Sequence, residues 1–185
     1  MMAGGAVLLA LLLVLFDGQS VFAAGRDIFI FNGERVVNVR NSHESVRILE
    51  KLPIAQLKRR FARYRVVATA GEDCNICAIV SGRGASLEID YDADGIVVVG
   101  ISSRDKTSTD ALGNLVRSSL RDAIGAETAQ CDAGDETRCK SPRLGGLSYI
   151  VEDDERCRLS IPGGAGKTVI PRCARIRGFA IFKKE

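Results

Sequence analysis

Apolar and polar positions alternate with two different periods along the chain. Ile28 to Phe31 and Val36 to Val39 read as two short strands joined at Asn32-Gly33, a dipeptide that favours tight hairpin turns. Asn41 with Glu44 has capping-box spacing, and Val46, Leu49 and Leu52 share one face, so a first helix is expected after Asn41. Pro53 suits the first turn of a second helix, with Ile54, Leu57 and Phe61 inward and Lys58, Arg59 and Arg63 outward. From Tyr64 onward the period falls to two, and strands are expected at Arg65–Ala68, Ala78–Val80, Leu87–Tyr91 and Ile96–Ile101. The last two flank Asp92-Ala93-Asp94-Gly95, a hairpin signal, and Ile96 to Val99 is apolar on both faces of the pleat, which suits a central strand. Asn114 can cap a third helix, Leu115 to Ile124, that Gly125 ends. Further strands are expected at Leu147–Val151, Cys157–Ile161, Thr168–Ile170 and Arg175–Phe182. This order predicts an α+β fold, a mostly antiparallel sheet with about three helices packed on it.

The amino-terminal run Ala6 to Phe16 fits neither period. It is unbroken in apolar character and is followed by Val21-Phe22-Ala23-Ala24, which reads as a signal peptide with cleavage after Ala23. A run of this length falls short of the roughly 20 residues that a spanning helix needs. Residues 24–185 are therefore expected to be a single exported domain, periplasmic or secreted, with no transmembrane segment in the mature chain.

Export changes the meaning of the cysteines. All six, Cys74, Cys77, Cys131, Cys139, Cys157 and Cys173, lie beyond the expected cleavage site, and an even number in an exported chain implies disulfides. Fifteen connectivities are open; local spacing favours Cys131 with Cys139, Cys157 with Cys173, and Cys74 with Cys77 by elimination. A sequence pI of 8.6 and the absence of Trp argue against nucleic acid as a partner. The basic residues are nonetheless concentrated, with ten Lys/Arg against four Asp/Glu between Arg26 and Arg65.

The second half contains an ordered set of motifs. These are Leu87-Glu88-Ile89-Asp90-Tyr91-Asp92-Ala93-Asp94-Gly95-Ile96, then Leu112-Gly113 before Ala123-Ile124-Gly125, then Cys131-Asp132-Ala133-Gly134-Asp135-Glu136-Thr137-Arg138-Cys139, then Leu147-Ser148-Tyr149 and a closing strand around Ile176. They resemble a family of uncharacterised bacterial envelope proteins that includes an enterobacterial lipoprotein controlled by the envelope-stress sigma factor. The resemblance implies a periplasmic or outer-membrane-attached domain of unknown activity. The lipid-bearing Cys of that example is missing, so lipid anchoring is not implied.

Each catalytic or ligand-binding motif lacks a required part, so no catalytic, cofactor or metal site is expected. Asp90-x-Asp92-x-Asp94-Gly95 resembles half of a calcium loop, but Ile101 stands where its bidentate Glu belongs. Gly163-Gly164-Ala165-Gly166-Lys167-Thr168 resembles the end of a phosphate loop, but Ile161 replaces its first Gly and no helix is expected after Thr168. His43, the only histidine, sits beside the expected Asn41 cap. Cys74-Asn75-Ile76-Cys77 has redox spacing but lies between strands, where a structural disulfide is favoured. The leading expectation is a non-enzymatic envelope-associated protein that binds an anionic envelope component, or another envelope protein, through Lys58, Arg59 and Arg63. The alternatives are a thiol-disulfide oxidoreductase using Cys74 and Cys77, or an inhibitor of an extracellular hydrolase presenting Asp132 to Arg138.

Overall fold

The computed structural model describes residues 26–70, 75–152 and 154–183. The expected signal peptide and Cys74 lie outside them. Among the described residues the architecture is α+β: a large antiparallel sheet, a small sheet laid on one of its faces, and two short α-helices. The small sheet has the order β3-β2-β1-β8, formed by β1 (Phe29–Phe31), β2 (Arg35–Asn38), β3 (Asn41–Arg47) and β8 (Thr109–Asp110); β1 and β8 run parallel. The large sheet has nine strands: β4 (Arg65–Thr69), β5 (Ile76–Gly82), β6 (Ala85–Tyr91), β7 (Val98–Ser103), β9 (Thr128–Ala133), β10 (Thr137–Lys140), β11 (Leu147–Val151), β12 (Ala165–Val169) and β13 (Ile176–Phe182). Their order is β12-β9-β10-β11-β13-β7-β6-β5-β4, so β7 lies among the inner strands, as its apolar run suggests. The helices are α1 (Ile54–Arg60) and α2 (Leu120–Ile124). No helix among the described residues is long and apolar enough to cross a membrane.

Strand alternation builds the core. Leu87, Ile89 and Tyr91 of β6, Leu147 and Tyr149 of β11, and Phe179 and Ile181 of β13 are all buried on one face. The small sheet covers that face with Phe29 and Phe31. Phe31 stacks on Phe179 at 5.5 Å between ring centroids, while Phe29 meets Phe61 and Tyr64 at the end of α1 at 6.3 and 5.9 Å. The backbone also joins the sheets: Leu49 N–H donates to the Val98 carbonyl and Val98 N–H to that of Glu50.

Four expected elements are corrected. Residues after Asn41 form strand β3, not a helix: Glu44 and Val46 point inward with period two, and Leu49, expected on the buried face, is 57% exposed with φ at 63°. The third helix begins only at Leu120, capped by Ser119, whose Oγ accepts from Asp122 N–H. Asn114 serves elsewhere, donating from both its backbone and its side chain to Asp110, which closes the turn after β8 and also accepts from the Tyr149 hydroxyl at 2.9 Å. Gly125 does end the helix, in the left-handed conformation. Cys157–Ile161 is not a strand; Glu155–Cys157 is a short 3-10 turn capped by the Asp154 side chain. Cys131 to Cys139, where no strand is expected from the sequence, is the hairpin of β9 and β10, with the two cysteines directly opposite and bonded, their Cα atoms 4.0 Å apart. Cys157 and Cys173 are also bonded, tying that 3-10 turn to the loop before β13.

Two turns meet backbone to backbone where the small sheet joins the large one. Gly33 has φ +93° and Gly146 has φ +88°; a methyl group on either would run into the other turn's carbonyl oxygen, that of Gly145 or of Gly33. Both constraints, positive φ and close approach, select glycine. Gly33→Ala and Gly146→Ala are each expected to lower the unfolding free energy by about 1–3 kcal/mol. The double variant should cost less than the sum, because both substitutions break the same contact. Urea unfolding of the three variants checks this, and strict additivity would contradict it.

Candidate functional site

Helix α1 and the chain just after it hold the three residues expected to contact an anionic partner. Leu57 and Phe61 are fully buried, which leaves Lys58 and Arg59 exposed on the opposite side. Neither makes an ion pair among the described residues. Arg60 turns back, with Nη2 2.7 Å from Glu50 Oε1 and Nη1 donating to the Ser45 carbonyl. Arg63 lies past the helix and forks over Glu44, Nε to Oε1 at 2.8 Å and Nη2 to Oε2 at 2.9 Å. The remaining carboxylates of this basic segment are paired as well, Asp27 with Arg83 at 2.9 Å and Glu34 with Arg47 at 2.8 Å. Internal pairing thus consumes Arg63 and Arg60, and Lys58 and Arg59 are what α1 offers to solvent.

The partner of Arg63 belongs to a buried polar line that the sequence did not reveal. Asn38 Nδ2 donates to Glu44 Oε2 at 2.6 Å and to the Tyr64 hydroxyl at 2.9 Å, and that hydroxyl donates to Asp27 Oδ2 at 2.5 Å. Asp27 and Asn38 are fully buried and Glu44 is 2% exposed. Burial opposes ionisation of Asp27, but the Tyr64 hydroxyl with the Arg83 and Arg63 charges outweighs it and holds the carboxyl below its ordinary range. Burial likewise opposes ionisation of Glu44, and the Arg63 and Asn38 hydrogen bonds outweigh it. Burial, then Asp27, pushes the Tyr64 hydroxyl upward. Every one of these groups is engaged with another, an arrangement that pins β2, β3, the chain just after α1 and the β5–β6 turn together.

The face of the large sheet turned away from the small one is polar. Glu136, near the tip of the β9–β10 hairpin, gathers Arg104 at 2.7 Å, Arg177 at 3.7 Å and Arg138 at 3.9 Å, and Arg104 also reaches Glu88 at 3.4 Å. Of the Asp132–Arg138 segment considered for inhibiting a hydrolase, Glu136 is therefore tied to the sheet. The Arg138 guanidinium lies 4.5 Å from the centre of the Phe182 ring. Gly100 gives the Phe182 ring and the Asp90 carboxylate room to lean together over the sheet, since a methyl group there would strike both. Burial, then the neighbouring Glu88, raises the Asp90 carboxyl above its usual range.

The other candidate chemistries land as follows. Cys77 is disulfide-bonded, 3% exposed and in strand β5, so it lacks the helix N-terminus that would activate a thiol. The expected pairing with Cys74 falls outside the described residues. Cys77, Glu88 and Asp90 place one potential ligand atom each within 4.8 Å of one another, but a disulfide sulfur is not a thiolate donor. Asp92 Oδ1 accepts from the N–H groups of Ile96 and Val97, which closes the hairpin and lowers the pKa of that carboxyl. Thr168 lies in strand β12, and its hydroxyl donates to the Ser160 carbonyl. His43 is exposed in β3 rather than beside a helix cap.

The buried line sets the acid response. Asp27 and Glu44 have folded-state pKa values below their ordinary 3.8 and 4.5, so their contribution is complete above those values and is lost as pH falls through the lower, folded ones. Glu44→Gln should cost about 1.5–3 kcal/mol at neutral pH, the range for a charge-assisted hydrogen bond. It should also flatten the loss of stability below pH 4.5. Urea midpoints measured from neutral to acid pH check both, and a variant whose pH profile parallels wild type would contradict them.

No protein-family model and no curated protein sequence matches the chain. A solved structure, that of the uncharacterized protein yfeY from Escherichia coli, is similar with a TM-score of 0.52 at 13% sequence identity, over 85% of this chain and 99% of that one. The likeness extends beyond the second half, where the sequence motifs lie. At this identity it shows a shared fold, and no activity comes with it.

Proposed function

We propose that this is an exported, non-enzymatic protein of the bacterial cell envelope that docks on an anionic envelope component through the exposed face of α1. The observation that carries the reading is the charge distribution of residues 26–65: each of the four carboxylates is paired with an arginine, while Lys58 and Arg59 stand exposed without a partner among the described residues. Unneutralised cations on one short helix face attract anionic surfaces over about 8 Å at physiological ionic strength. Arg63 adds to this field only in part, because Glu44 opposes it. Export is supported by the apolar run Ala6 to Phe16 before Ala23, and by the Cys131–Cys139 and Cys157–Cys173 disulfides. The fold shared with yfeY accords with a bacterial origin.

Co-sedimentation with anionic lipid vesicles and with purified peptidoglycan tests the reading. Lys58→Glu/Arg59→Glu should abolish binding at low salt without lowering the melting temperature. Arg63→Gln should leave most of the binding intact while destabilising the fold, because it strips Glu44 of its partner. Equal sedimentation of wild type and the Lys58/Arg59 variant, or none by either, would overturn the assignment.

A further inference from the structure

The polar face of the large sheet carries a second candidate site, independent of α1. A cleft of about 810 Å³ opens between the β9–β10 hairpin and the ends of β11 and β13, within the range of about 300–1,000 Å³ typical of ligand pockets. Its charges are sorted. Asp135 lies at the hairpin tip, Asp132 stands directly across from Arg138 in the β9–β10 register, Lys140 lies at the far end of β10, and Lys183 follows the end of β13. None of these four makes an ion pair among the described residues. Between them Arg138 lies over the Phe182 ring, and its Nε is buried with no acceptor. The nearby Glu136 offsets Arg138 only in part, at 3.9 Å, because Arg104 at 2.7 Å and Arg177 at 3.7 Å share the same carboxylate.

The geometry points to a binding site for a short peptide that carries both a free ammonium and a free carboxylate. The carboxylate is received by Arg138, whose planar guanidinium suits an oxygen pair, and by the ammonium groups of Lys140 and Lys183, which act as point charges. The ammonium is received chiefly by Asp135 at the hairpin tip, with Asp132 the next carboxylate along the cleft. At roughly 3.3 Å per strand residue, the stretch from Asp135 to Lys140 has the length of a short extended peptide. Phe182 supplies the apolar wall against which the peptide's side chains rest.

The test uses tetraalanine with free ends, its N-acetylated form, and a form capped at both ends, each titrated into the oxidised full-length protein while backbone amide shifts are followed by NMR. Saturable shifts confined to β10, the hairpin tip and Lys183 are expected with the free peptide. Lys140→Glu should weaken its affinity about tenfold, as loss of one charge-assisted contact implies. Asp135→Asn should weaken the free peptide but leave the N-acetylated one unchanged. Lys140 and Asp135 are exposed, so both variants are expected to fold. Equal binding of the doubly capped peptide, shifts centred elsewhere, or no saturable shift would overturn the proposal.

Discussion

A broad antiparallel sheet can leave one face to water but must cover the other, and strand β1 does the covering. Its two inward residues, Phe29 and Phe31, reach in different directions, one to Phe61 and Tyr64 after α1 and the other to Phe179 on β13. Burying each such side chain is worth about 1.5–3 kcal/mol, and each aromatic pair adds about 0.5–1.5 kcal/mol. The rest of the small sheet holds this strand in place. β2 and β3 pair beside it, β8 pairs on its other edge, and the Gly33 and Gly146 turns fix where it meets the large sheet.

The polar interactions follow from that cover. Docking the small sheet draws Asp27, Asn38 and Glu44 out of water, and buried charges without partners are costly. The chain answers with Tyr64, Arg63 and Arg83, which engage every group of the network, although among the described residues Asp27 Oδ1 has no hydrogen-bond partner and only Arg40 at 3.9 Å nearby. Charges not used in this way include Lys58 and Arg59 on α1 and Asp132, Asp135, Lys140 and Lys183 on the uncovered sheet face. Both proposed contacts arise from this division between charges used to build the fold and charges left over.

Local signals in the sequence located most of the large sheet. Period-two alternation marked β4 to β6, β11 and β13; a run apolar on both faces marked β7; Asp92 to Gly95 marked a hairpin; and short separations marked the pairs Cys131–Cys139 and Cys157–Cys173. Asn41 to Leu52 misled because Val46 and Leu52 are both buried, which a helix and a strand followed by an irregular turn explain equally well from spacing alone. Glu44 decided between them, and its partner Arg63 is remote in the chain. Lys58 and Arg59 were legible from helical period, whereas the loss of Arg63 to Glu44 was not. The Arg138–Phe182 contact depends on the register of β10, β11 and β13 across the sheet, for which local sequence holds no signal.

If β1 is the strand on which both sheets depend, the small sheet cannot open by itself. Native-state amide hydrogen exchange under increasing denaturant measures this most directly. Amides of Phe29 and Phe31 should merge with those of Ile101 and Phe179 at one free energy, equal to that of global unfolding. Exchange of β1 through a separate opening of lower free energy, with β7 and β13 still protected, would contradict the account.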